Sequence, residues 1–156
     1  MKKTATPEAR KRALAKARKK LKSTKVALAD GEAKELYVDF MARYAQIEVA
    51  YKSLLADYLE ARGKKTPVEE LKVEWEQVQS VLSYFSIDLG DDAKQIFNGR
   101  QKTGARYARG LRNSLAHSPN ETAINELRDK KSSFEASMNT FEEALGANTT
   151  RESEGE

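Results

Sequence analysis

The chain has 156 residues, enough for one domain of ordinary size, and its 39% hydrophobic content supports one core. No run approaches the ~18 uninterrupted apolar residues of a membrane-spanning helix, so no membrane-spanning segment is expected. Zero cysteines and one histidine exclude a disulfide framework, a thiol nucleophile, a thiolate zinc site and a multi-histidine metal cluster.

With eight Gly and three Pro against many Ala, Leu, Glu, Lys and Arg, the composition favours long helices. It predicts an all-α protein, an up-and-down bundle of four to five helices. The N-terminus lacks the apolar stretch of a secretory signal, which points to a cytoplasmic protein.

The net charge of +4 is unevenly spread. Residues 1–25 carry eleven Lys/Arg against Glu8 alone, a charge of +10, and the remainder carries −6. A basic arm on a mildly acidic body favours polyanions, because each phosphate contact releases a condensed counterion. Lys19 and Lys20 are candidates for such contacts. A solvated extension without a dedicated partner explains the same charge, as do a nuclear-import signal or an anionic membrane surface. Between Ala9 and Leu21 the only large apolar residues are Leu14 and Leu21, too few to dock this helix stably by burial.

Residues 26–146 hold the folded body. From Glu32 to Arg62 the positions Leu36, Phe40, Tyr44, Ile47, Tyr51, Leu54 and Tyr58 step by four, four, three, four, three and four, a sustained amphipathic helix that Gly63 ends. The seven-residue ladder Tyr44, Tyr51 and Tyr58 is placed to reach a partner helix if the protein dimerises. Thr66 then precedes Pro67 as a cap before a first-turn proline, opening a second helix through Leu71, Trp75, Val78 and Leu82 to Phe85. Ser86–Gly90 is a loop, with Asp88, Asp91 or Asp92 available to cap a short helix holding Ile96 and Phe97. Asn98–Gly99 stops it. A further helix is expected from Lys102 to His117, ended by Pro119. The last is capped by Asn120 and runs through Ile124, Leu127, Phe134, Met138 and Phe141 to Leu145, with Gly146 closing it. Residues 147–156 are polar and acidic and are expected to be disordered.

The chemistry concentrates in Lys102–Pro119. On a helical wheel with Leu111 at zero, Gly104, Ala108 and Leu115 lie within about 60° of it, facing the core. Arg112 falls at about 100°, while Arg109, Asn113, Arg106 and His117 fall near 160°, 200°, 220° and 240°. The outer side thus carries a cationic stripe ending in the sole histidine. A guanidinium presents a planar, permanently charged fork to phosphate oxygens, and imidazole exchanges protons near neutrality. Asn113, one turn before His117, is placed to orient the imidazole or to bond to the phosphate. Lys102, Arg106 and Arg109 extend the cationic surface open to a phosphodiester. Taken singly, each of these residues is more simply a helix cap, a salt-bridge partner or a solvated position.

The order Arg-Asn-Ser-Leu-Ala-His, from Arg112 to His117, resembles the signature of the HEPN superfamily (higher eukaryote and prokaryote nucleotide-binding domains). That signature is an Arg, four to six residues and a His, often with a polar residue directly after the Arg, here Asn113. The resemblance implies an all-α, metal-independent endoribonuclease without a cofactor. In it the RNA 2′-OH attacks the adjacent phosphorus, leaving a 2′,3′-cyclic phosphate and a 5′-OH. Arg112 would hold the scissile phosphate, His117 would move the proton and Asn113 would support them. It further implies a homodimer with two motifs in one cleft, and a toxin or antiviral-defence role beside an antitoxin. Other HEPN members have lost catalysis, so a non-catalytic adaptor that binds nucleic acid through the basic arm is the alternative, with a protein-interaction bundle as a third reading. Neither a Walker-type phosphate loop nor a dinucleotide glycine fingerprint is present.

Overall fold

The computed structural model describes residues 4–23, 32–99, 106–117 and 121–154, without the side chains of 22, 23, 33 and 147–154. The protein is an all-α helical bundle, and no strand occurs among the described residues. Six α-helices are present among the described residues, where the sequence predicts four to five: α1 Pro7–Ser23, α2 Glu32–Ala61, α3 Trp75–Tyr84, α4 Asp92–Phe97, α5 Ala108–His117 and α6 Glu121–Glu154. A 3-10 turn spans Val68–Glu70. Among the described residues, no helix is long and apolar enough to cross a membrane.

The α2 helix is the central element and packs on α1, α3, α5 and α6. Tyr44, Ile47, Ala50, Tyr51, Leu54 and Leu55 are all essentially inaccessible to solvent. Two members of the tyrosine ladder, Tyr44 and Tyr51, are therefore spent inside the chain, and Tyr58 is half-buried. The Tyr44 hydroxyl donates to the Ile96 carbonyl (3.3 Å). The Tyr51 ring lies 5.0 Å from Phe97, which meets Phe141 edge-on at 5.5 Å. Tyr58 meets Tyr84 edge-on at 5.3 Å, under the guanidinium of Arg62. Such pairs add about 0.5–1.5 kcal/mol each to the burial of the rings.

Gly63 ends α2 as its spacing predicts. At φ +85° it occupies the left-handed region, its N–H donates to the Glu60 carbonyl, and the Lys64 N–H donates to Leu59. This Schellman pairing satisfies two carbonyls that the helix leaves open. The α3 helix closes in the same way, but with Ser86 at φ +57° in the position that glycine favours.

Three expectations are corrected. The helix expected from Thr66 to Phe85 is interrupted: after the 3-10 turn the backbone is extended at Leu71 and Glu74, and α3 begins only at Trp75. Leu71 and Val73 are buried while Lys72 and Glu74 are exposed, a period of two. The apolar spacing 68, 71, 75, 78 fits a helix, yet Leu71 with Val73 fits a strand-like segment equally well, and burying both decided between them. No aspartate side chain caps α4. Asp88 instead accepts from the Gly90 N–H (3.0 Å), and Asp92 accepts from the buried Ser137 hydroxyl (2.8 Å). The α6 helix does not stop at Gly146 but continues to Glu154. Gly146 serves close packing, since a Cβ there would sit 3.2 Å from Arg18 Nε.

The fourth correction concerns α1. Expected to lack the apolar surface for docking, it buries Ala13, Leu14, Ala17 and Leu21 against α2 and α6. Counting only large side chains misses the alanines, which let the helix axis approach and bring backbone into contact. Thr6 Oγ1 accepts from the Ala9 N–H (3.1 Å) and Pro7 takes the first helical position, a well-formed start. The Ala5 N–H then donates to the Tyr84 carbonyl, and the Arg10 guanidinium donates to the carbonyls of Phe85 and Ser86. Arg10 so caps the C-terminal end of α3.

Candidate functional site

The α5 helix carries the site residues because Ala108, Leu111 and Leu115 anchor it on α2, α4 and α6. This is the core face that the wheel predicts. The helix starts at Ala108 rather than Lys102, so Arg106 precedes it and does not belong to the helical stripe; Lys102 lies outside the described residues.

Arg106 is committed to the fold. Its backbone N–H donates to Glu126 (2.8 Å), and its guanidinium donates to the same carboxylate (2.9 and 3.3 Å). Lys130 donates to the Arg106 carbonyl and pairs with Glu126 at 3.4 Å. Burial pushes the Glu126 carboxyl up, but the Arg106 hydrogen bonds and the charges of Arg106 and Lys130 outweigh it and hold the group below its ordinary value. The guanidinium expected to face RNA is thus engaged inside the protein.

Arg112 remains reachable. Its side chain is 38% exposed, Nη1 donates to Asn113 Oδ1 (3.0 Å), and Nη2 lies 3.9 Å from Glu48 Oε1. Arg109 is partly buried, with Nη1 directed at the Phe97 carbonyl (3.4 Å). Gly99 leaves room for it, because a Cβ there would sit 3.3 Å from that nitrogen. His117 is exposed at the last position of α5.

The structure brings Arg109, Arg112 and Asn113 together on the rim of a cleft of about 200 Å³. The facing wall is Tyr44, Glu48 and Lys52, each four residues apart and hence on one side of α2. The extended segment supplies Lys72, flanked by the buried Leu71 and Val73. Among the described residues lining the cleft, Lys52, Lys72, Arg109 and Arg112 face a single carboxylate, Glu48. Burial raises the Tyr44 hydroxyl above its ordinary value and Glu48 adds to this, while Arg109 and Arg112 oppose it. Tyr44 therefore stays a neutral hydrogen-bond donor, unsuited to acid–base work.

His117 does not line this cleft. Five residues of α-helix separate it from Arg112 by about 140° around the axis and about 7.5 Å along it. Lys19 and Lys20 stand exposed on α1, a different part of the molecule. Among the described residues, no group of three or more acidic or histidine side chains is arranged to hold a metal. Sequence reasoning missed Glu48, Lys52 and Lys72. The spacing of Glu48 and Lys52 advertises a helix-surface pair, which they form at 2.8 Å, but nothing local to Lys72 marks it.

The chain matches no family model, no curated protein and no solved structure.

Proposed function

We propose that the protein is a metal-independent endoribonuclease of the HEPN type, with Arg112 holding the scissile phosphate and His117 moving the proton. The observation that carries this reading is the open guanidinium of Arg112, braced by Asn113 on a cationic rim, with the exposed imidazole of His117 on the same short helix. The 2′-OH oxygen attacks phosphorus, its proton leaves to a base, and the bond to the 5′-oxygen breaks as that oxygen takes up a proton. Imidazole serves both transfers, and Arg112 balances the charge that builds on the phosphoryl oxygens. Because the two side chains diverge around α5, the reading takes a second copy, its α5 opposite the first, to complete one cleft. A cytoplasmic toxin or defence role beside an antitoxin belongs to the same proposal.

Purified protein incubated with RNA in EDTA tests it. The expected products carry 2′,3′-cyclic phosphate and 5′-OH ends, and both His117→Ala and Arg112→Ala lose them. Cleavage by His117→Ala at the wild-type rate overturns the mechanism.

The exposed basic face of α1, with Arg12, Lys19 and Lys20, favours a second reading: a non-catalytic adaptor that binds nucleic acid through this helix. It predicts salt-sensitive binding without turnover that Lys19→Glu with Lys20→Glu abolishes.

A further inference from the structure

The cleft between α2, the extended segment and α5 holds more positive charge than its own residues balance. The two oxygens of Glu48 face two different cations, Oε2 at 2.8 Å from Lys52 Nζ and Oε1 at 3.9 Å from Arg112 Nη2. Lys72 and Arg109 have no carboxylate partner among the described residues. Arg109 is partly withdrawn from water, so its charge is less well solvated than that of a surface lysine. The Tyr44 hydroxyl is already given to Ile96, leaving the cations as the groups that address an incoming ligand.

We infer that this cleft is a phosphate subsite for the RNA strand, in which a non-scissile phosphate is gripped by Lys72, Arg109 and Lys52, and that Glu48 is its built-in competitor. A carboxylate spanning two cations marks where an oxyanion sits. A phosphodiester offers the same two-oxygen geometry and meets two further cations that Glu48 leaves unbalanced. Glu48 thereby opposes binding of the strand, chiefly through its close pairing with Lys52. Its distance of 3.9 Å from Arg112 leaves that guanidinium free to turn toward substrate, whereas Lys52 is held close. The choice of RNA as the source of the phosphate rests on the nuclease reading; the oxyanion chemistry rests on the cleft alone.

The test uses the full chain carrying His117→Ala, so that substrate survives, titrated with a fluorescent single-stranded oligoribonucleotide and separately with inorganic phosphate. Adding Lys72→Ala is expected to weaken oligonucleotide binding about fivefold and to lower the log–log salt slope by about 0.7, the share of one single-strand phosphate contact. Adding Glu48→Gln is expected to tighten binding by a similar factor. Lys72 is exposed, so its variant keeps the parent melting temperature, which is measured alongside. Unchanged affinity in both variants overturns the subsite. Inorganic phosphate binding that depends on Lys72, with no such dependence for the oligonucleotide, overturns the RNA strand as its source. If the wild type fails to cleave RNA but both shifts appear, the subsite stands and the nuclease mechanism falls. Cleavage with neither shift has the opposite meaning.

Discussion

Helices α1 and α5 are both cationic and partly buried, yet they present charge in different ways. On α1, Arg10 and Arg18 turn inward onto α3 and α6, Lys16 pairs with Asp57 at 2.7 Å, and Arg12 and Lys19 stand exposed. On α5, Arg109 and Arg112 lean toward α2 and the extended segment, so their charges converge with Lys52 and Lys72 in a concavity. An exposed face lets water and salt screen each charge separately. A cleft makes several charges act on one ligand. The more basic segment is therefore the poorer candidate for a specific site, and its helix is chiefly an element of the fold.

The largest expected effect that breaks or keeps this contrast is on RNA cleavage. Arg112→Ala and His117→Ala should each slow it by about 10²–10⁴, the range for losing a charge-stabilising or proton-transferring group. Lys19→Glu with Lys20→Glu should leave the turnover rate intact. Equal losses in all three, read from initial rates at saturating RNA, erase the distinction between the two helices.

Stability sharpens it next. Leu14→Ala opens space in a fully buried position and should cost about 2–5 kcal/mol in urea unfolding. A loosely attached arm would show no change. Arg10→Ala removes the cap on the Phe85 and Ser86 carbonyls and should cost about 1–2 kcal/mol, seen as a lower melting temperature.

The smallest effect concerns Arg106, the basic residue next to α5 that belongs to the fold. The Glu126 carboxyl is depressed in the folded state, so its stabilising contribution is complete above the ordinary glutamate value of about 4.3 and is lost as pH falls through the lower folded value. Urea midpoints measured between pH 7 and pH 3 should fall less steeply in Glu126→Gln than in wild type. Parallel curves would show that the Arg106–Glu126 contact adds nothing to the acid response.

Much of the bundle was legible because periodic burial is a local property. The α2 stripe, its stop at Gly63, and the inward face of α5 at Ala108, Leu111 and Leu115 follow from helical spacing. The extended stretch at Leu71–Glu74 was not, since its residues satisfy two periods at once. Nor was the docking of α1, which depends on small residues and on carbonyls at the end of α3. Of the expected site, Arg112, Asn113 and Arg109 share a cleft, Arg106 is internally paired, and His117 stands apart at the helix end.

By itself, the order of residues determined helical class, the ends of its longest early helix, and the placing of a guanidinium and an imidazole on one short helix. Those properties depend on neighbours within a few positions. Only tertiary structure decided which cations would meet. Lys52, Lys72 and Arg109 are far apart in the chain, and they converge because burying Leu71 and Val73 straightens the backbone between them. Charge can be counted along a sequence, but concavity requires elements from three places to pack together.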